Sequence, residues 1–355
     1  MTIAHQRLAN QGLSTSPFAD PGAVTLALGA LQAQDYAGAK WAIGLRMPRA
    51  TDASISQAYA EGTLLRTHLL RPTWHFVNPA DIHWLLALTA PRVHARNATY
   101  YRRLEIDADV IRRSAAALAL AARNEPNLTR EAVRAALEAS AISTAGPLRL
   151  SYLLMHLELD GVICSGTRVG NQHTYALLDE RVPEQRRHSP ADPAGELARR
   201  FFLTRGPASA QDFAKWSGLT LTAARRGLEA ARDCLQRHAG QDLWGPAPAP
   251  TSPPAALLLS IYDEYISSYG DRSAMVAPQD AARLQALGND LTGIVVLDGQ
   301  VAGTWKRTLA RAGVAVTPDL FRQLSPAEQA ALELAIDRYA AFVELPRIPA
   351  PPSYE

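Results

Sequence analysis

Leu148-Arg149-Leu150-Ser151-Tyr152-Leu153-Leu154-Met155-His156-Leu157-Glu158-Leu159-Asp160-Gly161 runs directly into Val162-Ile163-Cys164-Ser165-Gly166 and then Thr174-Tyr175-Ala176-Leu177-Leu178, and this passage decides the fold. Pro147 opens a helix over 148–159, and Asp160-Gly161 stops it. The two β-prone runs flank a Gly-containing tip, which predicts a hairpin. Upstream, 107–122 reads as a helix, and Thr129 caps another over 131–139. Three helices followed by a β-hairpin is the order of a winged helix, a helix-turn-helix with an added wing.

The order recurs on the C-terminal side. A helix is expected over 194–204, and Ser209 caps another over 210–216. Gly218 breaks that helix, Thr220 or Thr222 caps a longer one over 223–235, and Trp244-Gly245-Pro246 lies in the expected wing.

On the N-terminal side, a short helix over 3–9 stops at Asn10-Gln11-Gly12, and Asp20-Pro21 caps the next. The run from Ala23 to Leu31 is apolar nearly all round, so a buried helix is expected there. Helices over 39–47 and 55–62 follow. The stretch 64–78 carries Arg71-Pro72 in its middle, and proline removes a ladder donor, so a bent strand pair is expected. Asn78-Pro79-Ala80-Asp81 caps a long helix through Trp84 and Leu88.

Beyond a Pro-rich joint over 245–254, strands are expected at 257–261, 293–297 and 301–305, with Asp298-Gly299 as a hairpin turn. Ser325 caps a helix over 326–345, and the chain ends in Pro-rich coil. No sequence repeat of fixed period is present. The expected architecture is α+β: tandem winged-helix modules over 1–106, 107–185 and 190–250, then a β-rich, barrel-like domain with a terminal helix over 255–355.

Composition sets the outer bounds. The 355 residues are 47% hydrophobic and 20% charged, which is globular composition with material for several cores. The net charge of +2 neither requires nor excludes a nucleic-acid partner; the placement of charge decides. Lys40, Lys215 and Lys306 are the only lysines, so arginine supplies nearly all the positive charge. Cys164 and Cys234 lie too far apart to suggest a disulfide framework or a zinc site. No apolar run reaches about 18 residues, so no membrane partner is expected. The start, Met1 to Arg7, reads as a polar amphipathic pattern and not as a signal peptide, which places the protein in a reducing cytoplasm beside the nucleoid.

Chemistry concentrates at Gln32-Ala33-Gln34. These two amides follow the most apolar helix of the chain, where buried polar groups need partners. Residues two apart do not share a helical face. For both amides to meet one ligand, the backbone must leave helix geometry here. The bland alternative is a pair of glutamines that cap or solvate a helix end.

Gln32-Ala33-Gln34 resembles the Gln-x-Gln motif of the AlkZ-like winged-helix DNA glycosylases, which release bulky N-alkylpurines and unhook interstrand crosslinks. Further similarity lies in Leu70-Arg71-Pro72-Thr73-Trp74-His75-Phe76-Val77 with Asp81 and Trp84-Leu85-Leu86, and in Gly166 to Tyr175 with Asp179-Glu180-Arg181-Val182-Pro183. It continues in Tyr262-Asp263-Glu264-Tyr265 with Asp271-Arg272, and in Asp298-Gly299 with Gly303-Thr304-Trp305. The resemblance spans nearly the whole chain and is carried by the order and spacing of its motifs.

It implies a monofunctional glycosylase with Gln32 and Gln34 as catalytic residues, acting on double-stranded DNA with alkylated purines. An N7-alkylated purine is cationic and leaves as a neutral base, so no strong general acid is needed. An amide carbonyl accepts a hydrogen bond from water and points a dipole at the developing oxocarbenium ion. It cannot deprotonate water. A related branch of the family carries an acid where this chain has Gln34, so Gln–Gln behaviour toward bulky adducts or crosslinks is expected. Asp35 is adjacent, with its side chain expected to point elsewhere.

Arg66 and Arg71 flank His75, and all three are candidate DNA contacts. So are Arg168, Gln172 and His173 at the wing tip, because wing tips enter grooves. His68, His75, His83 and His94 include no His-x-x-x-His pair around an acid, so no metal is expected. Asp263 and Glu264 read as adjacent strand residues on opposite faces, serving domain packing. Gly161 to Gly170 lacks the strand-to-helix context of a phosphate loop, so no nucleotide and no other cofactor is expected. The competing reading is a non-catalytic winged-helix regulator. Regulators commonly bind two-fold operators as dimers, whereas tandem modules in one chain and the lack of heptads favour a monomer that clamps DNA.

Overall fold

The computed structural model describes residues 1–238, 240–248, 255–288 and 293–349. It is a mixed α/β protein whose elements fall into four runs. The first comprises α1 (Ile3–Asn10), α2 (Pro21–Leu28), β1 (Leu31–Gln32), α3 (Tyr36–Gly44), α4 (Asp52–Glu61), β2 (Leu65–Leu69), β3 (Thr73–Val77) and α5 (Ile82–Arg103). The second holds α6 (Ala108–Ala122), β4 (Leu128–Thr129), α7 (Arg130–Ala139), α8 (Arg149–Leu159), β5 (Ile163–Val169), β6 (Gln172–Leu177) and the short α9 (Leu178–Arg181). The third holds α10 (Pro193–Arg205), α11 (Ala210–Ser217), α12 (Leu221–Ala230), β7 (Gln236–Arg237) and β8 (Trp244–Gly245). The fourth holds β9 (Ala256–Leu259), α13 (Glu264–Ser267), α14 (Pro278–Leu287), β10 (Gly293–Leu297), β11 (Gln300–Ala310), β12 (Gly313–Leu320) and α15 (Pro326–Phe342). Among the described residues no helix is long and apolar enough to cross a membrane.

Helix starts follow cap chemistry. Side chains of Asp20, Thr129, Ser209, Thr220 and Ser325 each accept a backbone N–H three residues on. Thr220, not Thr222, is therefore the cap of α12, and that helix ends at Ala230, earlier than its apolar pattern suggests. The helix–helix–helix–hairpin order appears in full in the second run, where β5 and β6 pair antiparallel and β4 adds to β6. In the third run the hairpin shrinks to two-residue strands.

The expected apolar helix over 23–31 is two elements. Helix α2 stops at Leu28, Gly29 takes φ +76°, and the chain re-enters as β1 against β3. The helix is not buried on all sides either, since Leu26 is 44% exposed. Its apolar composition belongs partly to a strand, and alanine-rich runs carry no period that separates the two.

The expected barrel is an open sheet. Strands order β12-β11-β10-β9, with no closure between the outer two. Helix α15 packs on β9, with Tyr339 and Phe342 against Trp41. Strand β12 was not legible because it holds Pro318, and it sits at the sheet edge, where a missing N–H is tolerated. The strand expected over 301–305 extends to Ala310 to pair with it. Within the Pro-rich joint, 249–254 lie outside the described residues, as does the terminal coil from 350 onward.

Two main cores organise the molecule. One is continuous from Ala4 through Phe76, Phe213 and Trp216 to Val295 and Tyr339, so the first, third and fourth runs are fused. The other, around Leu118, Val133, Leu137, Leu153 and Leu157, is built mainly from the second run, with Tyr101 of α5 joining it. Gly218 ends α11 at φ +73°, and a Cβ there would stand 2.3 Å from the Leu70 carbonyl oxygen. That close approach seats the third run on the β2–β3 turn, beside β1.

Candidate active site at the meeting of two clefts

The chain leaves helix geometry at the motif: Gln32 ends β1, and Gln34 lies in a bend before α3. Gln32 pairs opposite His75, and Ala33 N–H donates to the Trp74 carbonyl at 2.7 Å. Gln32 is half-buried and Gln34 exposed. Gln32 Oε1 accepts Arg71 Nη2 at 3.0 Å, which fixes the orientation of that amide. Gln34 Oε1 meets the Trp74 N–H at 3.4 Å, a long bond that is readily exchanged.

A buried ion pair holds this segment from behind. Arg205, at the last turn of α10, donates to Glu264 Oε2 from Nε at 3.1 Å and from Nη2 at 2.9 Å. Its Nη1 and Nη2 also reach the carbonyls of Leu28 and Ala30. Glu264 Oε1 accepts the Gln32 backbone N–H at 3.0 Å, while Oε2 also accepts Trp216 Nε1 and Ser268 Oγ. Burial alone would raise the Glu264 carboxyl, but Arg205, Ser268 and the Gln32 amide outweigh it and hold it down at about 2. An anion this fully engaged is no proton acceptor for substrate; it is a positioning group. The adjacent acid is engaged separately: Asp263 receives Arg46 through two bonds of 2.8 and 2.9 Å. Both acids serve packing at the start of the short helix α13, Asp263 as its cap, and neither lies on a strand.

Two clefts meet at Gln34 and Asp35. One, of about 670 Å³, is lined by Arg66, Trp74, Arg130, Arg134, Gln172 and His173. The other, of about 510 Å³, is lined by Ser260, Tyr262, Trp305, Lys306 and Arg307. Both are open, and both carry positive charge beside an aromatic ring. That pairing suits a nucleic-acid backbone and its bases. Asp35 lies at the same junction, turned back toward its own helix, where a Cβ at Gly38 would sit 2.6 Å from Oδ2.

The β5–β6 hairpin folds back onto the motif. Arg168 lies over the Tyr36 ring at 4.9 Å, and His173 meets the same ring edge-on at 4.9 Å. Burial, Arg66 and Arg168 push the His173 imidazole down to about 4, so it is neutral at pH 7. Gln172 is exposed at the cleft wall.

One expected DNA contact, His75, needs correction, and Arg66 sits deeper than its sequence position suggests. His75 is fully buried, with Nδ1 at the Thr73 carbonyl and the imidazole driven down to about 3 by burial and by Arg71. Its strand pairs it beside Gln32, with the ring fully enclosed, so no phosphate reaches it. Arg66 is 5% exposed, donates Nε to the Ala33 carbonyl at 3.1 Å and stacks on Trp74 at 4.5 Å. It forms part of the cleft floor and braces the motif through Nε. Arg71 is half-buried and occupied by Gln32.

Sequence reasoning missed Arg130 and Arg134, although their spacing places both on one face of α7. It missed Lys306 and Arg307 because β11 was read too short. Arg205 carried no local signal at all.

Known proteins resemble this chain along most of its length. The family described as "DNA glycosylase AlkZ-like" matches residues 25–342. The chain belongs to this family. It is therefore an enzyme of a DNA glycosylase class. A protein of Streptomyces sahachiroi named "Interstrand DNA cross-link repair glycosylase" is 23% identical over 302 residues, covering 78% of this chain and 79% of that protein. The solved structure of Streptomyces sahachiroi DNA glycosylase AlkZ superposes with a TM-score of 0.77 at 21% identity, covering 98% of both chains. At that identity the likeness speaks for the fold.

Proposed function

We propose that this chain is a monofunctional DNA glycosylase that hydrolyses the N-glycosidic bond of cationic N7-alkylpurines, bulky adducts and interstrand crosslinks among them. The observation that carries the reading is the position of Gln34 where two basic clefts meet, with Gln32 two residues back, braced through its backbone by a buried ion pair. The first three helical runs act as winged-helix modules of one monomer that clamps duplex DNA, with Arg168, Gln172 and His173 on a wing beside the lesion. The module limits are those expected from sequence, 1–106, 107–185 and 190–250, with 255–355 as the C-terminal domain.

The reaction follows from the charge of the lesion. The glycosidic electron pair moves to the purine nitrogen and cancels its positive charge, and the base leaves neutral. Gln34, exposed and weakly engaged, holds the attacking water by its carbonyl. Gln32, its amide held by Arg71, acts with Gln34 to stabilise the oxocarbenium-like sugar. Water adds to the anomeric carbon and releases its proton to solvent. An open junction of clefts, unlike a closed pocket, admits a bulky adduct.

The test is base release from a duplex bearing N7-alkylguanine, against spontaneous depurination, for wild type, Gln32→Ala and Gln34→Ala, with DNA affinity measured alongside. Release by wild type, lost in both variants with binding retained, supports the reading and its site. No release across methyl, bulky and crosslinked adducts, with DNA still bound, moves the reading to a non-catalytic DNA-binding protein.

A further inference from the structure

Away from both clefts, three residues converge that the sequence keeps far apart. His94 lies on α5, His156 on α8, and Asp160 caps the C-terminus of α8. His94 Nε2 stands 3.0 Å from Asp160 Oδ1, and His156 Nδ1 stands 3.1 Å from Oδ2. One donor atom from each of the three residues lies within 4.8 Å of the other two. Both imidazole nitrogens are shielded from solvent, and each faces the carboxylate and no other polar partner.

We propose that His94, His156 and Asp160 form a binding site for a divalent transition metal of the zinc type. The donor set is two imidazoles and one carboxylate, which suits zinc and its neighbours; calcium and magnesium take mostly oxygen ligands. Bonds of about 2.0–2.1 Å in a tetrahedron separate ligand atoms by about 3.3 Å, so an ion draws together donor atoms that stand within 4.8 Å of one another. The His94 ring is braced on its far side, with Nδ1 at 3.1 Å from the Tyr101 hydroxyl. Metal-bound histidines are commonly oriented in this way. His94 and Asp160 line a cavity of about 470 Å³ together with His83, Gly161, Asp179 and Arg187, which gives an ion access and leaves room for a water as fourth ligand.

The position gives the ion a structural task. It ties α5 to the end of α8, immediately before the β5–β6 hairpin that carries Arg168, Gln172 and His173. Occupancy stiffens the junction from which that hairpin springs.

The experiment uses the untagged full chain, stripped with a chelator and desalted. Zinc is titrated by calorimetry and counted by elemental mass spectrometry, and cobalt serves as a visible-spectrum probe of coordination. The expected result is one equivalent per chain, a tetrahedral cobalt spectrum and a raised thermal midpoint. His94→Ala, His156→Ala and the near-isosteric Asp160→Asn each weaken binding by roughly a hundredfold or more. Circular dichroism of the metal-free variants checks that each still folds. Sub-stoichiometric binding by wild type overturns the proposal, as does equal binding by Asp160→Asn; either result leaves an ion triad and no metal site.

Discussion

Glu264 holds Gln32 by the backbone: the Gln32 N–H donates to Glu264 Oε1 at 3.0 Å, across 232 positions of sequence. The motif's geometry therefore depends on a carboxylate that never faces the substrate. Glu264→Gln leaves Arg205 buried without a counter-charge, and loss of one partner of such a pair costs about 3–5 kcal/mol. Denaturant titration of the variant checks this. A cost under about 1 kcal/mol would mean that the segment is held by other contacts.

The same carboxylate gives stability a pH signature. Its folded pKa, about 2, lies below the ordinary 4.5, so its contribution is complete above pH 4.5 and is lost as pH falls toward 2. His75 acts over a higher window. Its folded pKa, about 3, lies below 6.5, so protonation favours the unfolded chain from pH 6.5 downward. Between pH 6.5 and 5 this one group removes about 2 kcal/mol. Urea melts of wild type and His75→Gln at pH 7.5 and pH 5 are expected to show a smaller acid loss in the variant.

Asp35 tests the division of labour at the cleft junction. A general base there would give about a hundredfold or greater loss of rate on removal. With its side chain turned over Gly38, Asp35→Asn is expected to retain base release from N7-alkylguanine to well within that factor. A loss as large as that of Gln34→Ala would transfer the water-activating role to Asp35.

Arg130, Arg134 and Lys306 are exposed on the two cleft walls. If each meets a phosphate, each alanine variant lowers the slope of log affinity against log salt by about 0.9. Affinity titrations over a range of salt concentrations measure this. His75→Gln leaves that slope unchanged, because His75 is fully buried.

Arg71 links the two levels. Its Nη2 fixes the Gln32 amide, so Arg71→Met is expected to lower the rate of base release more than it lowers DNA affinity. Single-turnover kinetics beside equilibrium binding separate the two effects. A variant that loses affinity alone would make Arg71 a phosphate contact.

What the sequence determined by itself is local. Helix starts at Pro21, Ala210 and Pro326 follow from caps within three residues, and hairpins follow from turn chemistry between β-prone runs. Gln32 and Gln34 stood out because two amides follow an apolar run, and the demand that they leave helix geometry is met by the Gly29 break and strand β1. What the tertiary structure alone decided is partnership. Arg66 and His75 share a sequence neighbourhood with Arg71, yet sheet pairing puts them on opposite faces, Arg66 on the cleft floor and His75 fully enclosed. Glu264 and Arg205 became the brace of the motif only when α10 and α13 packed behind it. The open sheet depends on edge strand β12, whose proline weakens the local strand signal. His94, His156 and Asp160 meet only because α5 packs on α8. Caps and turns act over a few residues and are written in the chain, whereas burial and charge pairing act through space and exist only once the chain has folded.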